Sequence, residues 1–125
     1  MQNKILVFGT FGKLHEGHLY FLTEAKKLGD LYVSVSSDES ALQRKGKNPI
    51  HNIKERIEAI KKLGIAEDVA EGDKTLNSWT AIKEWQPNII CVGFDQYGLK
   101  TALADIAGKF GFDIKVISQK DNLEI

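Results

Sequence analysis

A single cysteine, Cys91, excludes an intramolecular disulfide. It lies in the apolar run Ile89-Ile90-Cys91-Val92 and reads as a small core residue of a buried strand. No run of about eighteen apolar residues occurs, and the N-terminus lacks a signal-peptide pattern. Neither sign of charge is in excess: 17 Lys plus Arg balance 17 Asp plus Glu. Nothing global therefore points to a nucleic acid or a membrane, and any anion site must be built from local charge. A cytoplasmic location is the default expectation. Three histidines and one cysteine are scattered without ligand spacing, so no protein-held metal is expected. Two nucleotide signatures are also missing. Gly12-Lys13 is followed by Leu14 and has no glycine five residues earlier, and Gly9-Thr10-Phe11-Gly12 does not match Gly-x-Gly-x-x-Gly.

What is present suits a globular α/β domain. Apolar residues make up 42% of the chain, enough for a core, and the length fits one domain over 1–125. No repeat, low-complexity stretch or linker interrupts it. Apolar runs predict strands over 4–8, 31–36, 65–70, 88–94 and 113–118. Helical spacing predicts helices over 16–28, 53–63, 79–85 and 99–110, with a short helix over 38–42. In the first helix the apolar positions are Leu19, Leu22, Ala25 and Leu28, with Gly29 as its stop. In the third, Ile53, Ile57 and Ile60 share a face. Residues 43–49 read as a basic loop, Ser78 as an N-cap, and the last seven residues as a polar tail. Alternating strands and helices predict a parallel sheet of order 3-2-1-4-5, Rossmann-like, with helices on both faces. Its connection polarity reverses between strands one and four, where a ligand crevice is expected.

The stretch Gly9-Thr10-Phe11-Gly12-Lys13-Leu14-His15-Glu16-Gly17-His18 lies at that place, where strand one hands over to helix one. A helix N-terminus offers unpaired N–H groups and partial positive charge, which suits phosphate. Gly17 lets a ligand approach the backbone. His15 and His18 add ring donors three residues apart, both expected to face one phosphate; the bland reading is that they cap the helix. His-x-Gly-His after Gly-Thr-Phe resembles the signature of the cytidylyltransferase-like nucleotidyltransferases, which include glycerol-3-phosphate cytidylyltransferase and the archaeal type of FAD synthetase.

The resemblance runs from Ile5 to Ser118 and implies direct in-line transfer. A substrate phosphate attacks the α-phosphate of a nucleoside triphosphate, and pyrophosphate leaves. Donors and cations must then meet charge growing on the phosphate oxygens. On this reading His15, His18, Lys45 and Arg56 are the catalytic candidates. Gly9, Thr10, Phe11, His15, Gly17, His18, Gly93 and Asp95 are nucleotide-binding candidates, and Gly12, Asp38, Lys47 and Gln96 acceptor-binding ones. The basic residues come from 41–62, where seven cations face two acids. Lys45 and Lys47 resemble the family's basic loop, and Arg56 an arginine at the start of its next helix. Asp38 has a second reading, since Ser37-Asp38-Glu39 is a good helix start. Gly93-Phe94-Asp95-Gln96 resembles the Gly-Tyr-Asp-Gln of the archaeal FAD synthetase type more than Gly-Asp-Asp. Mg²⁺ carried by the nucleotide phosphates and a homodimer are further implications.

Two departures stand out. The family has Gly-Thr-Phe-Asp where this chain has Gly12. Glycine there serves a positive-φ turn, makes room for an acceptor, or marks a lost acid. The family also has a late Ile-Ser-Thr-Ser/Thr segment opening a helix, whereas here the sequence reads Ile117-Ser118-Gln119-Lys120. The first reading is transfer of AMP from ATP to FMN, giving FAD. The alternatives are a CTP-dependent enzyme acting on glycerol-3-phosphate or a similar polyol phosphate, and a non-catalytic nucleotide-binding module. Base preference stays open, because bases are often read by main-chain groups.

Overall fold

A computed structural model describes residues 3–74 and 78–118. The strands are β1 Asn3–Gly9, β2 Gly29–Val35, β3 Ala66–Glu71, β4 Ile89–Gly93 and β5 Asp113–Ile117. The helices are α1 Glu16–Lys26, α2 Asp38–Lys45, α3 Ile53–Lys61, α4 Thr80–Trp85 and α5 Tyr97–Phe110. The strands form one parallel sheet, as the alternation of elements implies, and its order is β3-β2-β1-β4-β5.

Period-two alternation splits the core between the two faces of the sheet. Ile5 and Val7 of β1 and Leu31, Val33 and Val35 of β2 pack with Phe21, Leu22 and Ala25 of α1 and Ile60 of α3. Leu6, Ile90 and Val92 pack on the other face with Ile82 of α4 and Leu103 of α5. Cys91 is fully buried, and desolvation pushes its thiol up to about 11, so it stays protonated and inert at neutral pH. No helix among the described residues is long and apolar enough to cross a membrane.

Several local expectations are corrected. The buried face of α1 is Gly17, His18, Phe21, Leu22 and Ala25, while Leu19 is 40% exposed. The helix ends at Lys26, two residues before Leu28, and Gly29 is not its stop. Gly29 starts β2, where a Cβ would fall 2.2 Å from the Asn3 carbonyl oxygen, so it is there for close approach. Helix α2 runs to Lys45 and ends on Gly46 in the left-handed conformation, taking three residues from the predicted loop. Ser37 caps it, its hydroxyl accepting from Ser40 N at 3.0 Å. The capping residue of α4 is Trp79, not Ser78, and Asp73 Oδ2 accepts from Thr80 N at 2.9 Å. Helix α5 begins at Tyr97. The predicted polar tail and the late Ser/Thr comparison beyond Ser118 lie outside the described residues.

Candidate active site at the carboxyl edge of the sheet

The chain leaves β1 towards β2 on one side, and β4 docks on the other side of β1. Their carboxyl ends open a crevice there. A cavity of about 730 Å³ fills it, a size suited to small-molecule ligands.

The turn after β1 is held by a backbone outlier. Phe11 takes a φ of 49°, and its ring is buried at 3% exposure. A Cβ at Gly9 would lie 2.6 Å from that ring, so only glycine lets it fold back. The Phe11 ring meets His18 edge-on at 5.2 Å. The positive φ thus falls on Phe11 and not on Gly12. A Cβ at Gly12 would meet nothing within 4 Å, so the turn does not demand glycine at position 12.

The two histidines differ. His15 is the N-cap of α1, its Nδ1 accepting from Gly17 N at 3.0 Å. An accepting Nδ1 puts the proton of the neutral ring on Nε2, so His15 has one outward donor and not two. His15 is exposed, and its ring stacks on His18 at 3.8 Å with 20° between planes. His18 is buried, on the cavity wall, and His15 is not among the lining side chains. His15 Nδ1 is thus spent on the cap, which leaves its Nε2 beside the His18 ring at the cavity edge. The Gly17 amide serves the cap, and Gly17 is not among the residues lining the cavity.

Arg56 is the largest correction. It is 1% exposed and faces the protein on every side. Nε donates to the His51 carbonyl at 3.0 Å, and Nη1 to the Thr10 and Ser36 carbonyls at 2.8 Å each. Nη2 pairs with Asp38 Oδ1 at 2.6 Å. Arg56 therefore ties the ends of β1 and β2 to α2 and α3, and phosphate cannot reach it. Asp38 is engaged likewise, since Oδ2 also accepts from Ile53 N at 3.4 Å. Neither lines the cavity.

Arg44 takes the place expected of Arg56. It belongs to the predicted basic run but was not singled out by sequence. Its Nη2 donates to Thr10 Oγ1 at 3.2 Å and to Ser36 Oγ, and the side chain lines the cavity. No carboxylate pairs with it among the described residues. Burial lowers its pKa from the usual arginine range. Arg44 keeps an exposed face, and a cation held beside two hydroxyls at the cavity, with no carboxylate partner among the described residues, is an anion-binding arrangement. Lys47 is exposed and does not line the cavity. Of Lys45 only the main-chain position, the last residue of α2, is described.

Across β1, the end of β4 supplies the opposite wall. Gln96 Oε1 accepts from Gly93 N at 2.8 Å, and its Nε2 donates to the Phe8 carbonyl at 3.0 Å. Gln96 thus bridges the two strands where they diverge, and its amide serves the fold before any acceptor. Gly93 is buried and off the cavity. Asp95 lines the cavity, and its Oδ1 is buried with no hydrogen-bond partner among the described residues. A ligand hydroxyl or amino group is the chemistry that satisfies such an oxygen. Gly9, Thr10, Phe11, His18, Asp95 and Gln96 thus meet around one cavity, with Arg44, Trp79, Trp85 and Tyr97 added by the structure.

Residues 6–124 match the family model described as Cytidylyltransferase-like. An FAD synthase of Methanohalophilus mahii is 41% identical over 115 residues, covering 91% of this chain and 79% of that protein. An FAD synthase of Thermococcus sibiricus is 36% identical over 115 residues, covering 91% and 78%. The crystal structure of a lipopolysaccharide core biosynthesis protein from Thermoplasma volcanium superposes with a TM-score of 0.81 at 30% identity, covering 96% of this chain and 98% of that one. A pantoate-β-alanine ligase of Francisella tularensis shares the fold alone, with a TM-score of 0.68 at 13% identity over 97% of this chain and 60% of its own.

Proposed function

The chain belongs to the cytidylyltransferase-like family, and we propose that it is an FMN adenylyltransferase, making FAD and pyrophosphate from FMN and ATP. The observation that carries this is the crevice itself: His18, Arg44 with no carboxylate partner among the described residues, and Asp95 with Oδ1 unpartnered among them share one cavity. The FAD synthase relatives supply the substrate pair.

An FMN phosphate oxygen attacks the α-phosphorus of ATP. The new P–O bond forms as the bond to the β-phosphate oxygen breaks, and pyrophosphate carries off the electron pair. His18, the His15 Nε2–H and Arg44 stabilise the charge that grows on the phosphate oxygens. Asp95 receives a hydroxyl or amino group of the nucleotide. Arg56, Asp38 and Gln96 position these groups without touching substrate. Lys45 and Lys47 remain proposals for the outer phosphates, on the charge of the run alone. Mg²⁺ carried in on the triphosphate would neutralise charge on its outer phosphate oxygens, with Arg44 as the protein's own cation at the cavity. A homodimer is the family expectation, which light scattering tests.

Incubation with FMN and ATP is expected to release pyrophosphate and form FAD. CTP with glycerol-3-phosphate is expected to give neither. Nucleotide binding without turnover on any pair would instead make the chain a binding module.

Gly12 supplies a second test. Open space at its Cβ position means that Gly12→Asp costs the turn little. A restored carboxylate at the acceptor side is expected to raise turnover by about 1–3 kcal/mol in activation free energy through a charge-assisted contact. The check is kcat for Gly12→Asp beside the parent, with melting temperatures compared. A clear fall in kcat at equal stability would make Gly12 part of a working acceptor pocket.

A further inference from the structure

The cavity extends from the phosphate end down one face of the sheet, and its floor there is unusually small. Phe8, Ser34 and Ala70 are register partners across β1, β2 and β3. Their neighbours Val7, Val33 and Val69 belong to the opposite core, so these three point to the α4–α5 face. The row therefore runs from a large side chain over β1 to two small ones over β2 and β3. The next row holds Tyr32, whose ring packs on Trp85 at 5.2 Å. Trp79 meets Phe8 edge-on at 6.0 Å. Phe8, Ser34, Ala70, Trp79 and Trp85 all line the cavity. The result is a slot with a flat floor of small side chains and aromatic walls.

Trp79 is held there at a backbone cost. Its φ of 58° and ψ of 34° are left-handed, a true outlier for so bulky a residue. Such strain marks sites where a side chain must be aimed.

We infer that this slot binds the planar flavin ring of the acceptor, with its phosphate reaching Arg44 and the end of β1. The inference rests on the reading given under Proposed function. Sheet order separates the substrates. Asp95 and Gln96 lie beyond β4, and the slot lies over β2 and β3, with β1 and its histidine turn between them. The nucleotide and the acceptor ring then flank the place where their phosphates meet. The Phe8 row is two residues below Thr10, roughly 7 Å along the strand. A ribityl chain spans that distance. Aromatic rings in offset or edge-on contact are the surroundings a flat tricyclic ring prefers.

Two variants test this by flavin fluorescence quenching with FMN and with riboflavin, and by calorimetry with ATP. Ala70→Leu fills the floor. Trp79→Gly removes a wall while suiting the left-handed backbone. Both are expected to weaken FMN and riboflavin binding by about tenfold or more while leaving ATP binding within about twofold, which also verifies the fold. Loss of ATP binding in a folded Ala70→Leu protein would put the adenine in the slot and overturn the inference. A parent that makes FAD, beside an Ala70→Leu variant with the same KM for FMN, overturns the slot alone. A parent that makes no FAD from FMN and ATP overturns the functional reading and the slot with it.

Discussion

Arg56→Met is expected to lower unfolding free energy by about 3–5 kcal/mol, because it removes one partner of a buried, multiply bonded ion pair. The guanidinium satisfies three carbonyls and one carboxylate at once, on His51, Thr10, Ser36 and Asp38. A methionine fills similar volume but donates nothing. The carbonyls lose their partner and Asp38 its counter-charge, each a desolvation cost without compensation. Asp38 keeps partial access to water, with 33% of its side chain exposed, which softens its share. Domains are stable by only about 5–15 kcal/mol, so the loss is a large fraction of the whole. Urea unfolding of the parent and the variant measures it as a shift in midpoint at constant m. Arg56→Lys is expected to fall between them, since one ammonium cannot reproduce a planar fork. If Arg56→Met keeps the parent midpoint but loses turnover, the arginine acts on substrate and the clamp reading is wrong.

The contrast between Arg44 and Arg56 shows where sequence reading stops. Both belong to one basic run, and composition ranks them alike. Arg56 did leave a trace. It sits beside Ile57, three residues after Ile53 and four before Ile60, so it falls within the apolar stripe of α3. A charge inside such a stripe is a buried clamp in waiting. Arg44 was hidden by a boundary. With the helix read as ending at Leu42, it was one more loop cation; with α2 running to Lys45, Ser40 and Arg44 are four apart on one face, and both line the cavity. The strands, their parallel sense and the His-x-Gly-His turn were legible because each follows from local pattern: apolar runs, their alternation with helical spacing, and one strand–helix junction. The slot was not. Phe8, Ser34 and Ala70 are far apart in sequence and become one row only through strand register. The left-handed Trp79 also leaves no mark, since nothing in its residue type favours that conformation.

His18→Ala is expected to slow turnover by about 2–4 kcal/mol in activation free energy, the scale found for one preorganised donor at a transition-state oxyanion. ATP affinity is expected to change far less, because the donor meets charge that grows only during transfer. The side chain is well placed for this. It is 5% exposed, braced edge-on by Phe11 and flat against His15, so its ring is oriented before substrate arrives. His15 gives the control. Its Nδ1 caps α1, and His15→Asn preserves a capping side chain while removing the Nε2 donor. His15→Asn is therefore expected to keep stability and lose turnover, whereas His15→Ala loses both, with the cap worth about 0.5–2 kcal/mol. Single-turnover rates with saturating ATP and FMN, read beside unfolding midpoints, separate these effects. If His18→Ala turns over at the parent rate, the ring only packs the turn, and charge stabilisation falls to Arg44 and the amides of α1. If it loses ATP affinity as much as rate, the donor binds the ground state and the transition state equally, and the catalytic assignment fails.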